Sequence, residues 1–426
     1  MSNGEQGGAG TAAATRKLKI GMIGIGVGGA EILPAMEAME SLELVAGADI
    51  VPATLERFQA RYPWTKTYGS AEELCQDPNV EAVWISSPNR FHAQHTILAA
   101  NHGKHIVVEK PMAINLDEAR AMVEAADRNG VKLLAGHTRA FTLPLRAMRR
   151  VVASGKLGAL RAVNVWAYSD WILRPRTADE LDISQGGGVP YRQGPHQVDT
   201  VRLLGGGLVR SVRAQVGHWL PERPIPGYYS AFLEFEDGTP ATIVHNGYGY
   251  FLGAELVPWG QDRQRYTAEE RANIRAALRS GTRAETDEKQ AMRIGGEQES
   301  KIFRREEPEP WVPEDCGFVL TSCDRGDVRQ SAYGIYVHSD RGKEEIDVVA
   351  GRAMGTSQRR AELEELYDAV VLGKPLWHDG RWGMATLEVC LAMMQSARER
   401  QEIRLQHQVP VPADYDRDFQ VPGYTD

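Results

Sequence analysis

The chain has 426 residues, 42% hydrophobic and 25% charged, with a formal net charge of −8. That length and apolar content suffice for two substantial cores, and the acidic balance argues against nucleic acid or an anionic membrane as the main partner. No apolar run approaches the roughly 18 residues that span a bilayer, and the four cysteines, Cys75, Cys316, Cys323 and Cys390, are scattered without close metal spacing, as reduced thiols in a cytoplasmic protein would be.

Residues 1–16, rich in Gly, Ala and polar groups, lack the charged start and apolar core of a signal peptide and read as a disordered tail. The apolar segment Leu18–Ile23 then enters Gly24-Ile25-Gly26-Val27-Gly28-Gly29. Gly24 permits a tight turn, Gly26 lets a pyrophosphate approach the backbone, and Gly29 lets the next helix pack closely on the strand. The helix start adds free N–H groups and a partial positive charge. A second apolar run, Leu42–Ala48, ends at Asp49, twenty residues after Gly29. A carboxylate there accepts both ribose hydroxyls and repels a 2′-phosphate, and Ile50 beside it supplies no cation. The pattern favours NAD over NADP.

Apolar segments around Ile20, Leu44, Val83, Val107 and Leu133 alternate with helical periodicity, which predicts an α/β fold with a doubly wound parallel sheet over residues 17–138. The strand His105–Val108 ends in Glu109-Lys110-Pro111, and ligands of such sheets bind at the carboxyl ends of the strands, so Lys110 projects toward a cofactor's reactive ring. A surface strand end with an unremarkable Lys is the bland alternative. From about Arg139 the texture changes to alternating strands, Leu160–Tyr168, Val209–Val216 and Tyr229–Phe235, the last joined to Ala241–Tyr248 through the turn Glu236-Asp237-Gly238-Thr239. Residues 139–426 are therefore expected to form an α+β unit with a large, mainly antiparallel sheet. The Arg- and Glu-rich stretch 255–311 interrupts it, either as a solvated excursion or as a lid or subunit-contact arm.

A second constellation runs from Gln185 to Asp199. If it opens a helix, Arg192, His196 and Asp199 share one face, and an imidazole is a natural group to take a hydroxyl proton as hydride leaves the same carbon. A His satisfied in a domain interface is the competing reading. Upstream lie Arg174 and Arg176 flanking Pro175, with Trp171 as a flat wall; the alternative for both arginines is an exposed turn paired to Asp179, Glu180 or Asp182. Arginine meets carboxylates bidentately, so three arginines near one cleft suggest a dicarboxylate.

Taken together, Gly24-x-Gly26-x-x-Gly29, Ser87-Pro88-Asn89-x-x-His92, Glu109-Lys110-Pro111, Gly187 to Asp199 and Asp379-Gly380-Arg381-Trp382-Gly383 resemble the glucose-fructose oxidoreductase, inositol dehydrogenase and rhizopine-catabolism family, Gfo/Idh/MocA. The resemblance implies an NAD-binding Rossmann domain followed by an open sheet that lines the substrate cleft and forms dimers or tetramers. It makes Lys110 a contact of nicotinamide ribose and substrate oxygen and His196 the acid/base. Gly24, Ile25, Gly26, Val27, Gly28, Gly29, Asp49, Ile50, Ser87, Asn89, His92, Glu109 and Lys110 become the cofactor set, and Arg174, Arg176, Arg192, His137 and Trp171 the substrate set. Arg192 is the informative departure, because sugar and inositol members usually carry Asp four residues before the His. The Arg-Pro-Arg segment with Glu180-Leu181-Asp182 resembles the branch that handles phthalate cis-dihydrodiols, which implies oxidation of 4,5-dihydro-4,5-dihydroxyphthalate to 4,5-dihydroxyphthalate with reduction of NAD. Two alternatives stay open: a sugar, inositol or uronate dehydrogenase of the same family, or a non-catalytic or metal-dependent protein drawing on His92, His95, His102 and His105. The last lacks the cysteines and carboxylates of a typical zinc site, so no metal is expected.

Overall fold

The computed structural model describes residues 16–136, 139–260, 265–299, 310–313, 316–348 and 354–425. Among them, β1 (Leu18–Ile23), β2 (Leu42–Ala48), β3 (Lys66–Tyr68), β4 (Ala82–Ile85), β5 (His105–Glu109) and β6 (Leu133–Gly136) form a parallel sheet in the order β3-β2-β1-β4-β5-β6. Its central strands are continuous apolar runs, with all of β4 buried, because helices cover both faces. The helix Leu116–Asn129 illustrates the local logic. Ala119, Met122, Val123 and Ala126 recur at the spacing that lines one face, the Asn115 side chain accepts the Glu118 N–H, and Gly130 closes the helix at φ 64°.

The second sheet comprises β7 (Leu160–Tyr168), β8 (Val209–Gly217), β9 (Tyr228–Phe235), β10 (Pro240–Asn246), β11 (Phe318–Cys323), β12 (Gly326–Gln330), β13 (Gly334–Ser339), β14 (Gly342–Asp347) and β15 (Ile403–Arg404), ordered β14-β13-β12-β11-β7-β10-β9-β8-β15. Among the described strands of this sheet only the β7/β10 pair is parallel. The expected hairpin forms between β9 and β10, with Gly238 at φ 82° and Thr239 N–H bonded to Asp237 Oδ1 at 2.9 Å. One face, carrying Val163, Val165, Leu233 and Ile243, packs with Leu145, Met148, Val198, Val201 and Val389 of the covering helices. On the other face Trp166 and Phe232 are exposed among the described residues, and Phe318 stacks on Trp166.

Two boundaries differ from the sequence reading. Arg16 belongs to the folded part, since its guanidinium pairs with Glu81 and its carbonyl accepts the Tyr367 hydroxyl; residues 1–15 of the expected tail lie outside the described residues. The helix Met354–Val371, expected with the second unit, returns to the first sheet and buries Leu363, Leu366 and Tyr367 against the cluster of Leu18, Ile20 and Trp84. Apolar side chains far along the chain can complete an early sheet face, each burial contributing about 1.5–3 kcal/mol. Among the described residues no helix is long and apolar enough to cross a membrane.

The C-terminal helix Gly380–Glu399 is fastened to β6 through the residues before it. The Ala135 N–H donates to the His378 carbonyl at 2.9 Å, and Asp379 caps the helix. The buried His378 ring meets Glu365 at 2.8 Å, and Glu365 also accepts the N–H groups of Trp377 and His378. Burial alone lowers the His378 pKa, but attraction and hydrogen bonding to Glu365 outweigh it and leave it raised. A group raised in the folded state stabilises fully below its unfolded pKa of about 6.5, and that stability is lost as pH rises through the folded value. Glu365→Gln should therefore cost about 1.5–3 kcal/mol near pH 6, with the gap to wild type narrowing in alkaline solution; urea unfolding at both pH values measures it, and a gap that widens with pH contradicts the assignment.

Candidate active site

The glycine turn lies at the carboxyl end of β1. Gly24 has φ 87°, and a Cβ there would meet Ser87 N at 2.7 Å. A Cβ on Gly29 would sit 2.5 Å from both the Gly24 carbonyl and Ser86 Oγ, which are themselves bonded at 2.6 Å. At Gly26 and Gly28 a Cβ would meet nothing within 4 Å. Two glycines thus serve packing and two present bare backbone to the cleft, as a pyrophosphate requires. Ile25 and Val27 complete the turn. The helix that follows is only Val27–Ala30, so the macrodipole expected from the sequence is weak and the turn's N–H groups carry the attraction.

Asp49 accepts the Ile25 and Val51 N–H groups at 2.9 Å each, tying the end of β2 to the turn. Each carboxylate oxygen retains acceptor capacity toward the cleft. Ile50 beside it is 86% exposed. These residues fit an adenosine ribose with free hydroxyls.

At the far end of the cleft β5 delivers Glu109 and Lys110, and the Lys110–Pro111 bond is cis. Glu109 pairs at 3.2 Å with Arg359, which also holds Glu31 at 2.7 Å. The buried His92 ring lies between the carbonyls of Pro111 (2.8 Å) and Ser87 (2.7 Å). Burial pushes its pKa down to about 4, so near neutral pH the ring is neutral and donates to one of the two. Ser87 Oγ meets His95 Nδ1 at 2.9 Å, and Asn89 donates to the Gly186 carbonyl at 3.1 Å across to the second half.

The stretch containing Arg192 and His196 departs from the expected single helix. It forms Val189–Arg192 and then Gly194–Leu204, because Pro195 has no N–H to return to Tyr191. Arg192 and His196 still both line the cleft, and the Lys110 amine donates to the Arg192 carbonyl at 2.9 Å. Asp199, expected on the same face, is turned inward and accepts the Trp382 indole N–H at 2.5 Å.

The expected arginines are neither simply exposed nor simply open to a ligand. Arg174 faces Asp170 at 3.6 Å. The Arg176 side chain is 7% exposed, lies 3.8 Å from the Trp171 ring centroid, and approaches Glu180 at 3.8 Å. The flat wall expected of Trp171 is therefore an arginine–indole stack. Arg192 pairs with Glu180 at 3.0 Å. Burial, only partly offset by Glu180 and reinforced by Arg192, Arg174 and Arg223, pulls the Arg176 pKa down to about 9. Three residues escaped the sequence reading as site components: Glu180, named there only as a pairing partner, Arg359, and Lys289, which reaches Glu180 from the charged insertion at 2.8 Å. His137 lies outside the described residues. Among the described residues no group of three or more His, Cys, Asp or Glu side chains is arranged to hold a metal.

The cleft has a volume of about 1410 Å³, above the roughly 300–1,000 Å³ of a common ligand pocket. It has room for a dinucleotide and a second small molecule. A glycine cradle lines one end of it, and Lys110 and His196 line the other. Residues 18–137 match the oxidoreductase family with an NAD-binding Rossmann fold, and residues 145–250 match the GFO/IDH/MocA C-terminal domain. The chain is 31% identical over 388 residues, 89% of its length and 95% of the relative's, to the 1-carboxy-3-chloro-3,4-dihydroxycyclohexa-1,5-diene dehydrogenase of Comamonas testosteroni. It is 28% identical over 243 residues to the trans-1,2-dihydrobenzene-1,2-diol dehydrogenase of Mus musculus, covering 56% of this chain and 70% of that one. The crystal structure of a protein of Bordetella bronchiseptica RB50 assigned as a dehydrogenase superposes with a TM-score of 0.82 at 33% identity, over 91% of this chain and all of that one. The chain belongs to the Gfo/Idh/MocA family of oxidoreductases, and residues 18–137 are its NAD-binding Rossmann domain.

Because Gly29 is packed against backbone, Gly29→Ala should weaken NADH binding by at least about tenfold, roughly 1.4 kcal/mol, measured by fluorescence titration; unchanged affinity would show that the turn tolerates displacement.

Proposed function

We propose that this protein oxidises a carboxylated cyclohexadiene cis-diol with NAD, the phthalate 4,5-dihydrodiol being the substrate that fits best. The observation that carries the reading is Arg192: its carbonyl holds the Lys110 amine, and its side chain lines the cleft alongside His196, where a sugar dehydrogenase would present a hydroxyl-binding carboxylate. The dihydrodiol and carboxylate in the Comamonas relative's name agree with it.

Bound NAD supplies the hydride acceptor. His196 takes the proton of the reacting hydroxyl, and the Lys110 ammonium steadies the oxygen as negative charge develops on it. Arg192 and Arg176 hold the ring through its carboxylates. The ketone so formed enolises by losing the neighbouring ring proton, and the resulting catechol is aromatic, which makes the oxidation effectively one-way. Asp49, with Ile50 in place of a cation, selects NAD over NADP. Ser87, Asn89 and His92 act at the nicotinamide end, His92 by holding the backbone on either side. The sheet face bearing the exposed Trp166 and Phe232 and the neighbouring Phe318 supports a homo-oligomer through the open sheet, and four free cysteines support a cytoplasmic setting.

Two experiments test this. His196→Ala and Lys110→Ala should each lose about 10²- to 10⁴-fold in turnover, with NADH affinity retained in the His196 variant; near-normal turnover removes that residue from the mechanism. A kinetic panel of phthalate 4,5-dihydrodiol, benzene cis-dihydrodiol, myo-inositol and a uronate should favour the phthalate diol by about 10⁴-fold in kcat/KM over the neutral compounds, and Arg192→Ala should narrow the gap. Comparable rates with inositol would restore the sugar dehydrogenase reading.

A further inference from the structure

The charged insertion is tied to both parts of the chain through residues 283–299. Its Glu285 holds Arg223 at 2.8 Å and the Arg176 N–H at 2.7 Å, and Arg283 donates to the Leu173 carbonyl, which ties it to the second half. Nine residues after Glu285, Ile294 is buried in the first half's cluster with Ile32, Leu33 and Phe58, and Glu299 pairs with Arg61 at 2.9 Å. Residues 283–299 therefore form a strap across the cleft, anchored on both sides. Lys289 lies midway along it, on the helix Glu285–Ala291.

Its amine stands 2.8 and 3.1 Å from the two carboxylate oxygens of Glu180. The same carboxylate receives Arg192 and Arg176. Three cations thus converge on one carboxylate, while Arg174 is matched by Asp170 and Arg223 by Glu285. Lys110, Arg139, Asp179, Arg265 and Arg293 also line the cleft. Two positive charges beyond what Glu180 neutralises are set in a largely desolvated wall, an arrangement that is costly until an anion joins it. The Arg176 Nε is buried with no hydrogen-bond partner among the described residues.

We propose that Lys289 completes, with Arg192 and Arg176, a binding site for a doubly charged anion, so that a ring bearing two carboxylates is selected over one bearing a single carboxylate. The inference rests on the carboxylated-diol reading above and adds a specificity-determining residue to it. Lys289 is a substrate-binding residue on the strap, with no part in proton or hydride movement.

The test compares wild type with Lys289→Met and Lys289→Arg on three substrates: the phthalate dihydrodiol, a benzoate cis-dihydrodiol and benzene cis-dihydrodiol. Losing one charge-assisted contact should raise KM for the dicarboxylate by about 10- to 100-fold, against about threefold or less for the monocarboxylate and none for the neutral diol. The loss should fall on KM rather than kcat, with KM for NAD unchanged and most of the affinity restored by Lys289→Arg. Equal factors for one and two carboxylates, or no change, would make Lys289 a mere counter-ion of Glu180 and overturn the proposal. A measurement on wild type alone guards against a variant that does not fold: phthalate should inhibit competitively at least about tenfold more tightly than benzoate, and equal inhibition overturns the dianion site. If wild type prefers neither acid over the neutral diol, the carboxylated-diol reading itself falls, whatever the Lys289 variants do.

Discussion

The groups proposed for the chemistry come from different halves of the chain, so everything depends on fixing one half against the other. Lys110 ends a strand of the parallel sheet and His196 sits near the start of a helix on the second sheet. The junction is held by hydrogen bonds that end on backbone: Lys110 to the Arg192 carbonyl, Asn89 to the Gly186 carbonyl and the Tyr191 hydroxyl to the Ile114 carbonyl. Backbone acceptors suit this purpose, since their positions are set by the elements rather than by rotamers. The C-terminal helix reinforces the joint from below, with Leu387 in the first half's core and Val389 and Met393 in the second's.

Charge is handled differently at the two ends of the cleft. At the cofactor end carboxylates prevail or are balanced: Asp49 is bonded to N–H groups, and Glu109 and Glu31 share Arg359. At the opposite end, proposed above to take the substrate, guanidinium and ammonium groups exceed carboxylates. Desolvation raises the cost of that excess and also sharpens it as a means of discrimination, because a neutral ligand leaves the cations as unbalanced as it found them.

Much of the fold was legible in the sequence because it is written in local patterns. The parallel strands are apolar runs, the glycine turn sits where the first strand ends, and the β9/β10 hairpin is announced by Asp237-Gly238. What escaped was written in polar residues or at long range. β3 is three residues long at a sheet edge, and β14, Gly-Lys-Glu-Glu-Ile-Asp, is mostly exposed and lacks the apolar alternation of a covered strand. The break between Arg192 and His196 follows from one missing N–H at Pro195, which a spacing argument passes over. Lys289 meets Glu180 across 109 positions in a stretch whose composition reads as solvated surface. No local period encodes such a pairing; it appears only when the strap is seen anchored at both ends.

The strap also sets an order in which the protein's capacities arise. The glycine cradle closes on itself within a short span, its longest tie running 62 positions from Ser86 to Gly24. The strap's outer anchor joins Arg61 to Glu299 across 238 positions. Loop-closure entropy grows with such separations, and chains leave the ribosome from the N-terminus. A growing chain therefore holds every residue of its nucleotide cradle well before it has made the strap proposed to read substrate charge.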